Sequence, residues 1–206
     1  MKKLPIVIDT REQLPLDFSP WAQEVSITRA TLWPGDYSIR GANTRVAIER
    51  KSVSARKGTM LGGYAGFGAT SPKRFDCELL ALRGIALSGG KALIVVEPDG
   101  VAANVGNTAE EEVKAHQYRS RVSPDMVLAF VSRIRESWHV PVVFAASRAH
   151  AAEIVYTTLL AAETLRRTAK AADADILAAI EGARSAPRVS DDKSTTQSAP
   201  SDSRGV

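Results

Sequence analysis

Short apolar runs separated by turn residues dominate the first half of the chain. Residues 4–8 form a β-branched run that ends at Asp9, which predicts a buried strand. Three further segments of alternating or β-branched residues are joined by tight turns and predict an antiparallel meander: 25–30, 32–39 and 45–50. Two later apolar runs, 91–96 and 140–145, predict two more buried strands.

Helical patterns separate the later strands. The pattern over 73–83 predicts a helix, Ser123 and Pro124 suit the start of a second, and Ser147 caps an Ala-rich helix that runs to about Gly182. The predicted apolar faces are Phe75, Leu79 and Leu82 in the first helix and Met126 or Val127, Phe130 and Ile134 in the second. This order of elements predicts a single α/β domain with a mixed central sheet flanked by helices.

Changes in composition divide the chain. Residues 1–165 carry the predicted sheet, 166–184 are predicted to be a C-terminal helical extension, and 185–206 are rich in Ser, Thr, Asp and Pro, which predicts a disordered tail. Five glycines within the segment 55–71 predict a mobile loop.

Composition narrows the class of protein. The 206 residues are 44% apolar and 24% charged, which is typical of a globular domain. The single cysteine, Cys77, excludes an internal disulfide and a Cys-rich zinc site. The apolar run before Asp9 is too short for an export signal, and 92–96 is too short to span a bilayer. We expect a protein of the cytoplasm with no membrane association, near the nucleoid in a prokaryotic host.

Charged residues gather where the predicted strands end. Strand alternation places Glu49 and Lys51 on one face and Arg50 on the other, and Asp36 ends a neighbouring predicted strand. Two carboxylates can hold Mg²⁺, which acidifies a bound water, and an ammonium can orient the nucleophile that cleaves a phosphodiester. The alternative is an ordinary surface ion pair.

Three short motifs occur in a characteristic order: Asp9-Thr-Arg-Glu12, Gly35-Asp36 and Glu49-Arg-Lys51. This order resembles the nuclease domain of the XPF family of structure-specific DNA endonucleases, a branch of the PD-(D/E)XK superfamily. The resemblance covers roughly residues 4–160. It implies a restriction-endonuclease-like fold and a metal-dependent endonuclease that acts on branched or flapped DNA in repair or recombination.

The resemblance also implies roles for individual residues. Asp36 and Glu49 are expected to bind Mg²⁺ or Mn²⁺, with the backbone carbonyl of Arg50 as a third ligand, and Lys51 is expected to act on the attacking water. Asp9 is expected to complete the catalytic set at the edge of the site. The residues expected to bind the DNA substrate are Arg11, Arg50, Arg74, Arg119 and Arg121. For Arg119 and Arg121 the alternative is an exposed basic start of a helix.

One position departs from the family pattern. The family motif closes with an aspartate three residues after the lysine, and Ala55 stands there. Asp76 and Glu78 are not expected to replace it. A catalytically impaired, nuclease-fold DNA-binding or scaffold subunit therefore remains an alternative, as does a resolvase or restriction-type nuclease. By the same resemblance we expect a homodimer or heterodimer through the nuclease domain, with the helices after Ser123 and Ser147 as candidate surfaces. The alternative is that the Ala- and Val-rich faces of these helices belong to the core.

The distribution of charge favours DNA as the partner. The chain carries a net charge of +4, whereas residues 45–83 alone hold eight basic and three acidic residues, a net of +5. A local basic stretch around a candidate phosphodiester-cleaving site is typical of a nucleic-acid-binding protein. The three tryptophans, Trp21, Trp33 and Trp138, are expected in the core or at its edges rather than as stacking platforms.

Overall fold

The computed structural model describes residues 2–53, 74–98, 108–114 and 123–185. The strands within them are β1 Leu4–Asp9, β2 Val25–Ala30, β3 Tyr37–Ile39, β4 Val46–Ser52, β5 Lys91–Glu97 and β6 Val142–Phe144. The α helices are α1 Arg74–Leu87, α2 Ala109–Lys114, α3 Pro124–Ser137 and α4 Arg148–Ser185, and a short 3-10 helix covers Ser19–Trp21. The predicted glycine-rich loop and Ala55 lie outside the described residues.

The strands form one mixed sheet in the order β2-β1-β3-β4-β5-β6. The pairs β1–β2, β4–β5 and β5–β6 are parallel, whereas β1–β3 and β3–β4 are antiparallel. The prediction of a mixed sheet flanked by helices is confirmed, but the predicted meander is wrong because β1 lies between β2 and β3. Nearly every residue of β1 is buried, which suits a central strand, whereas most of β2 is exposed and suits an edge.

The two faces of the sheet carry separate hydrophobic cores. On the first face, Ala47 of β4 packs with residues of α1, α2 and α3. On the second face, Val46 and Ile48 pack with residues of α4. This alternation within one strand follows from the two-residue period of a pleated backbone, and it assigns each charged residue of β4 to a definite face.

The predicted helix starts and apolar faces agree with the structure. Ser123 accepts a hydrogen bond from the Met126 backbone N–H, and Ser147 accepts one from the His150 backbone N–H at 3.0 Å. The buried side chains include Phe75, Leu79 and Leu82 in α1 and Val127, Phe130, Val131 and Ile134 in α3, whereas Met126 is exposed. The apolar face of α3 and the α4 residues Ala151, Ala152, Val155 and Leu159 belong to the chain's own core, so these faces are not free for a dimer.

The chain divides into two compact units, Met1–Arg167 and Thr168–Val206. The sheet lies in the first unit. In the second unit the described residues form helix, and every side chain at 168–181 is exposed. Across the described ranges no helix is long and apolar enough to span a membrane.

Candidate active site

Charged residues from three strands meet at one edge of the sheet. Asp9 ends β1, Glu49 lies near the end of β4, and Glu97 ends β5. Asp36 does not end a strand, as the meander predicted, but immediately precedes β3. Because β3 runs antiparallel to β1 and β4, its first residue still lies beside their last residues.

The segment before β3 holds Asp36 against β4. Gly35 has φ +91°, and a Cβ there would lie 3.1 Å from the Ile48 carbonyl oxygen, so only glycine allows this approach without strain. The Asp36 N–H donates to Ile48 O at 2.9 Å, and the Arg50 N–H donates to Asp36 Oδ2 at 2.8 Å. Extending the observed Tyr37–Ile48 pairing by one residue sets Asp36 opposite Glu49.

Lys51 lies between two buried glutamates on the first face of the sheet. Its Nζ donates to Glu49 Oε1 at 2.5 Å and to Glu78 Oε2 at 3.3 Å, and all three residues are 5% exposed. The same Nζ lies 4.8 Å from the centroid of the Phe75 ring. The structure therefore places Glu49 and Lys51 together, as strand alternation predicts. We call Asp36, Glu49, Lys51 and Glu78 the acidic cluster.

Glu78 is the member of the acidic cluster that the sequence-based prediction rejected. It lies in α1, three residues after Phe75 and four before Leu82, both of which are buried. An acidic residue on the apolar face of a helix is a signal that helical periodicity could have revealed. Residues 54–73, between β4 and α1, lie outside the described ranges.

Burial and neighbouring charges shift the pKa values of Asp36, Glu49 and Lys51. Burial, the largest effect, raises the pKa of Asp36 to about 6. Burial and then the charge of Asp36 raise the pKa of Glu49 to about 8. Burial alone would lower the pKa of Lys51, but the charges of Glu49 and Glu78 outweigh it and raise that pKa. The cluster therefore lacks positive charge, and a further cation would stabilise its ionised carboxylates.

The carboxylates of the acidic cluster supply some of the oxygen ligands that a hard divalent cation needs. Carboxylate oxygens are preferred by Mg²⁺, which is commonly bound by one or two carboxylates together with waters and substrate phosphate. Asp36 and Glu49 supply two such carboxylates on adjacent strands. No group of three His, Cys, Asp or Glu side chains suited to a metal ion occurs among the residues that the structure describes. The residues present therefore fit a two-carboxylate magnesium site and not an all-protein cage.

Arg50 lies on the opposite face, away from the acidic cluster. Its guanidinium donates to Glu12 Oε1 at 2.9 Å and also pairs with Glu97, which in turn accepts from Arg148 at 3.0 Å. Burial alone would lower the pKa of Arg50, but the pairs with Glu12 and Glu97 outweigh it and raise that pKa. We call Glu12, Arg50, Glu97 and Arg148 the arginine network. The structure does not bring the Arg50 side chain to the acidic cluster, so its predicted role in binding DNA stays a prediction.

Asp9 is enclosed by hydrogen bonds. Both of its oxygens accept from the Arg11 guanidinium, at 2.8 and 3.0 Å, and Oδ2 also accepts from the Leu32 N–H at 2.6 Å. Burial would raise the pKa of Asp9, but the hydrogen bonds from Arg11 and Leu32 outweigh it and lower that pKa. Asp9 therefore holds the loop before β3 in place, and half-exposed Arg11 lies at the edge of the site.

The remaining predicted substrate-binding residues have no described side chains. Arg74 begins α1, but only its backbone is described. Arg119 and Arg121 lie outside the described ranges. Their contacts with phosphate stay predictions.

Carboxylates and a buried lysine at the edge of a mixed α/β sheet define a candidate hydrolytic site. No family model matches this chain, and no curated protein matches it. Among solved structures, XPF from Aeropyrum pernix in complex with DNA has a TM-score of 0.49 and 15% identity, over 81% of this chain and 66% of that chain. XPF from Aeropyrum pernix, in a second structure, has a TM-score of 0.44 and 16% identity, over 82% and 69%. The function is therefore inferred from this chain's own side chains.

Proposed function

We propose that this protein is a DNA endonuclease that hydrolyses phosphodiester bonds with a divalent metal, on branched or flapped DNA. The observation that carries the proposal is the acidic cluster, in which Glu49 and Glu78 pair with one ammonium at the edge of the sheet and Asp36 adds a third carboxylate whose charge acts on both Glu49 and Lys51. Strongly shifted carboxyl pKa values are typical of sites that bind a cation or move protons. Repair and recombination are the processes in which such an activity is used.

Asp36 and Glu49 would hold the metal, Mg²⁺ or Mn²⁺. When bound, the metal supplies a water of lowered pKa and stabilises the negative charge that grows on the phosphate. The Lys51 ammonium, held by Glu49 and Glu78, orients the attacking water and contributes positive charge next to the phosphate. Glu78 keeps the flexible lysine side chain in a single position.

Basic residues near this edge would hold the DNA backbone. Arg11 is half exposed beside the loop that leads to Asp36. Its Nε and Nη2 donate to Asp9 and the Leu32 carbonyl, and its Nη1 would donate to a phosphate. Arg74, Arg119 and Arg121 are proposed as further phosphate contacts. A dimer through the nuclease domain and a cytoplasmic or nucleoid location belong to the same proposal. The faces of α3 and α4 that pack in the core are excluded as the dimer surface.

Cleavage of labelled DNA forks and flaps tests the proposal. We expect the wild-type protein to cut them with Mg²⁺ and not in EDTA, and Glu49→Gln and Asp36→Asn to lose the activity. Glu153→Gln, at an exposed position of α4, is the matched control and keeps full activity. Equal cleavage by wild type and Glu49→Gln would exclude the acidic cluster as the site.

A non-catalytic DNA-binding subunit is the second candidate. One observation in its favour is that Lys51 is already paired with Glu49 and Glu78 without a metal. A second is that Ala55 stands where the family motif has an aspartate. Fork binding without cleavage by wild type, together with cleavage by Ala55→Asp, would support it. Strong wild-type cleavage would exclude it.

A further inference from the structure

Trp33 is an exposed aromatic residue in the loop that leads to Asp36. Its side chain is 48% exposed, while its neighbours Leu32, Pro34 and Gly35 are buried. Trp33 makes no ring contact with any residue in the described ranges. A large indole ring that faces water is available to a ligand with a flat apolar surface.

The rings of the other two tryptophans pack against side chains of the protein. Trp21 stacks on Tyr156 with a centroid distance of 4.5 Å, and Trp138 packs against the core of the first face. These two agree with the prediction of core or edge positions. Trp33 differs from that prediction because the loop before β3 buries both of its neighbours and leaves its ring outside.

The backbone on both sides of Trp33 is held in place. The Leu32 N–H donates to Asp9 and the Leu32 carbonyl accepts from Arg11, at 2.6 and 2.7 Å. On the other side, Gly35 packs against the backbone of Ile48. The backbone that carries the ring is therefore preorganised, and only the two side-chain torsions of Trp33 lose entropy when a ligand binds.

Trp33 is close to Asp36 of the acidic cluster along the chain. Two residues separate Trp33 from Asp36, so their Cα atoms are at most about 11 Å apart. A nucleic-acid strand advances about 3.4 Å per nucleotide when stacked, so this distance corresponds to roughly three nucleotides. The Arg11 guanidinium donates to the Leu32 carbonyl and to both carboxylate oxygens of Asp9, so it fixes the backbone that leads into Trp33.

We propose that the face of Trp33 binds one unpaired nucleobase of the DNA substrate, within about three nucleotides of the phosphate at the acidic cluster. This inference rests on the proposed function for its ligand, which is DNA. Bases in a duplex have both faces covered by their neighbours, whereas an unpaired base can leave the stack and lie on an aromatic ring. Trp33 therefore selects DNA with unpaired nucleotides next to the cleavage site.

Binding in EDTA tests the inference without cleavage. The probes are a fluorescein-labelled duplex with a single-stranded thymidine overhang and a blunt duplex of the same length, measured by fluorescence anisotropy. We expect Trp33→Ala to weaken binding of the overhang duplex roughly 5- to 150-fold and to leave the blunt duplex unchanged. Trp33→Phe, which keeps an aromatic face, is expected to retain most of the affinity.

Leu87→Ala is the matched control, because Leu87 is also a large exposed side chain but lies at the far end of α1. Equal affinity of wild type, Trp33→Ala and Leu87→Ala for the overhang duplex would overturn the inference, as would an equal loss on both probes. 2-Aminopurine in the overhang, quenched by wild type but not by Trp33→Ala, would support it and locate the bound base. If wild type does not cleave DNA but Trp33→Ala shows this selective loss, the nuclease proposal fails and the base-binding site stands.

Discussion

Three consecutive residues of β4 contribute to two very different charged sites. Glu49 and Lys51 enter the acidic cluster on one face, and Arg50 enters the arginine network on the other. The acidic cluster holds three carboxylates and one ammonium, whereas the arginine network holds two carboxylates and two guanidinium groups. The two sites lie on opposite faces of the sheet and differ in their balance of charge.

That balance separates a functional site from a structural one. In the arginine network each glutamate is paired with a guanidinium, and Arg148 also binds the Leu14 and Pro15 carbonyls, so the network ties a loop to the start of α4. In the acidic cluster the carboxylates outnumber the ammonium. Burial raises the pKa values of Asp36 and Glu49, and the charge of Asp36 raises that of Glu49 further. A site that lacks positive charge is suited to bind a cation, whereas in the arginine network each glutamate has a guanidinium partner and the buried Glu97 Oε2 alone accepts no hydrogen bond from the described residues.

Removal of the ammonium is expected to have the largest effect. Lys51→Met should lower the rate of fork cleavage about 100- to 10,000-fold, because the group that orients the attacking water is lost. Lys91→Met, at the exposed opposite end of β5, should cleave like wild type. The measurement is the initial rate of fork cleavage with Mg²⁺. Circular dichroism shows that both variants are folded. Unchanged cleavage by Lys51→Met would remove Lys51 from the site.

Removal of the arginine on the other face should affect stability instead. Arg50→Met leaves Glu12 and Glu97 buried without this partner, and we expect the free energy of unfolding to fall by about 3–5 kcal/mol. The backbone N–H of residue 50 still donates to Asp36, so cleavage per folded molecule should persist. Urea unfolding measures the loss, and exposed Arg45→Met is the control. If Arg50→Met were as stable as wild type but had lost cleavage, the arginine network would be the functional site and the acidic cluster the structural one.

Loss of the charge at Glu78 should have an intermediate effect. Glu78→Gln keeps the shape of the side chain but weakens its hold on Lys51, and we expect kcat to fall about 10- to 100-fold with little change in KM. Glu136→Gln, at an exposed position of α3, is the control for replacing a glutamate by glutamine. Steady-state kinetics on a labelled fork give both parameters. A change confined to KM would make Glu78 a determinant of DNA binding rather than of lysine position.

Stability is also expected to depend on pH. Burial raises the pKa of Asp36 to about 6 and that of Glu49 to about 8, so the folded protein keeps protons that the unfolded chain releases near pH 4. The unfolded chain therefore binds fewer protons between about pH 4 and 8, and the free energy of unfolding should fall as the pH rises through this range. Glu49→Gln should flatten the upper part of the curve.

Magnesium should counter this loss at pH 8. At ten times its dissociation constant, Mg²⁺ is expected to stabilise the wild-type protein by about 1.4 kcal/mol and to have no effect on Glu49→Gln. Urea midpoints at pH 5, 6.5 and 8, with and without Mg²⁺, measure both effects. Stability that rises with pH, or an equal response of wild type and Glu49→Gln to Mg²⁺, would contradict the picture of a cluster that lacks positive charge.

The amino-acid sequence determined the local features. Two-residue alternation assigned Glu49 and Lys51 to one face and Arg50 to the other, helical periodicity assigned the buried faces of α1 and α3, and Ser123 and Ser147 marked helix starts. These features depend on backbone geometry within a few residues, which sequence patterns report directly.

Only the tertiary structure decided which distant residues meet. The insertion of β1 between β2 and β3, the arrival of Glu78 beside Lys51, and the pairing of Arg50 with Glu97 join residues far apart in sequence. Such contacts depend on strand order and on how helices cover the sheet, which the packing of the whole core selects. The exposure of Trp33 was decided in the same way, because burial of its two neighbours against the folded sheet leaves its ring in solvent.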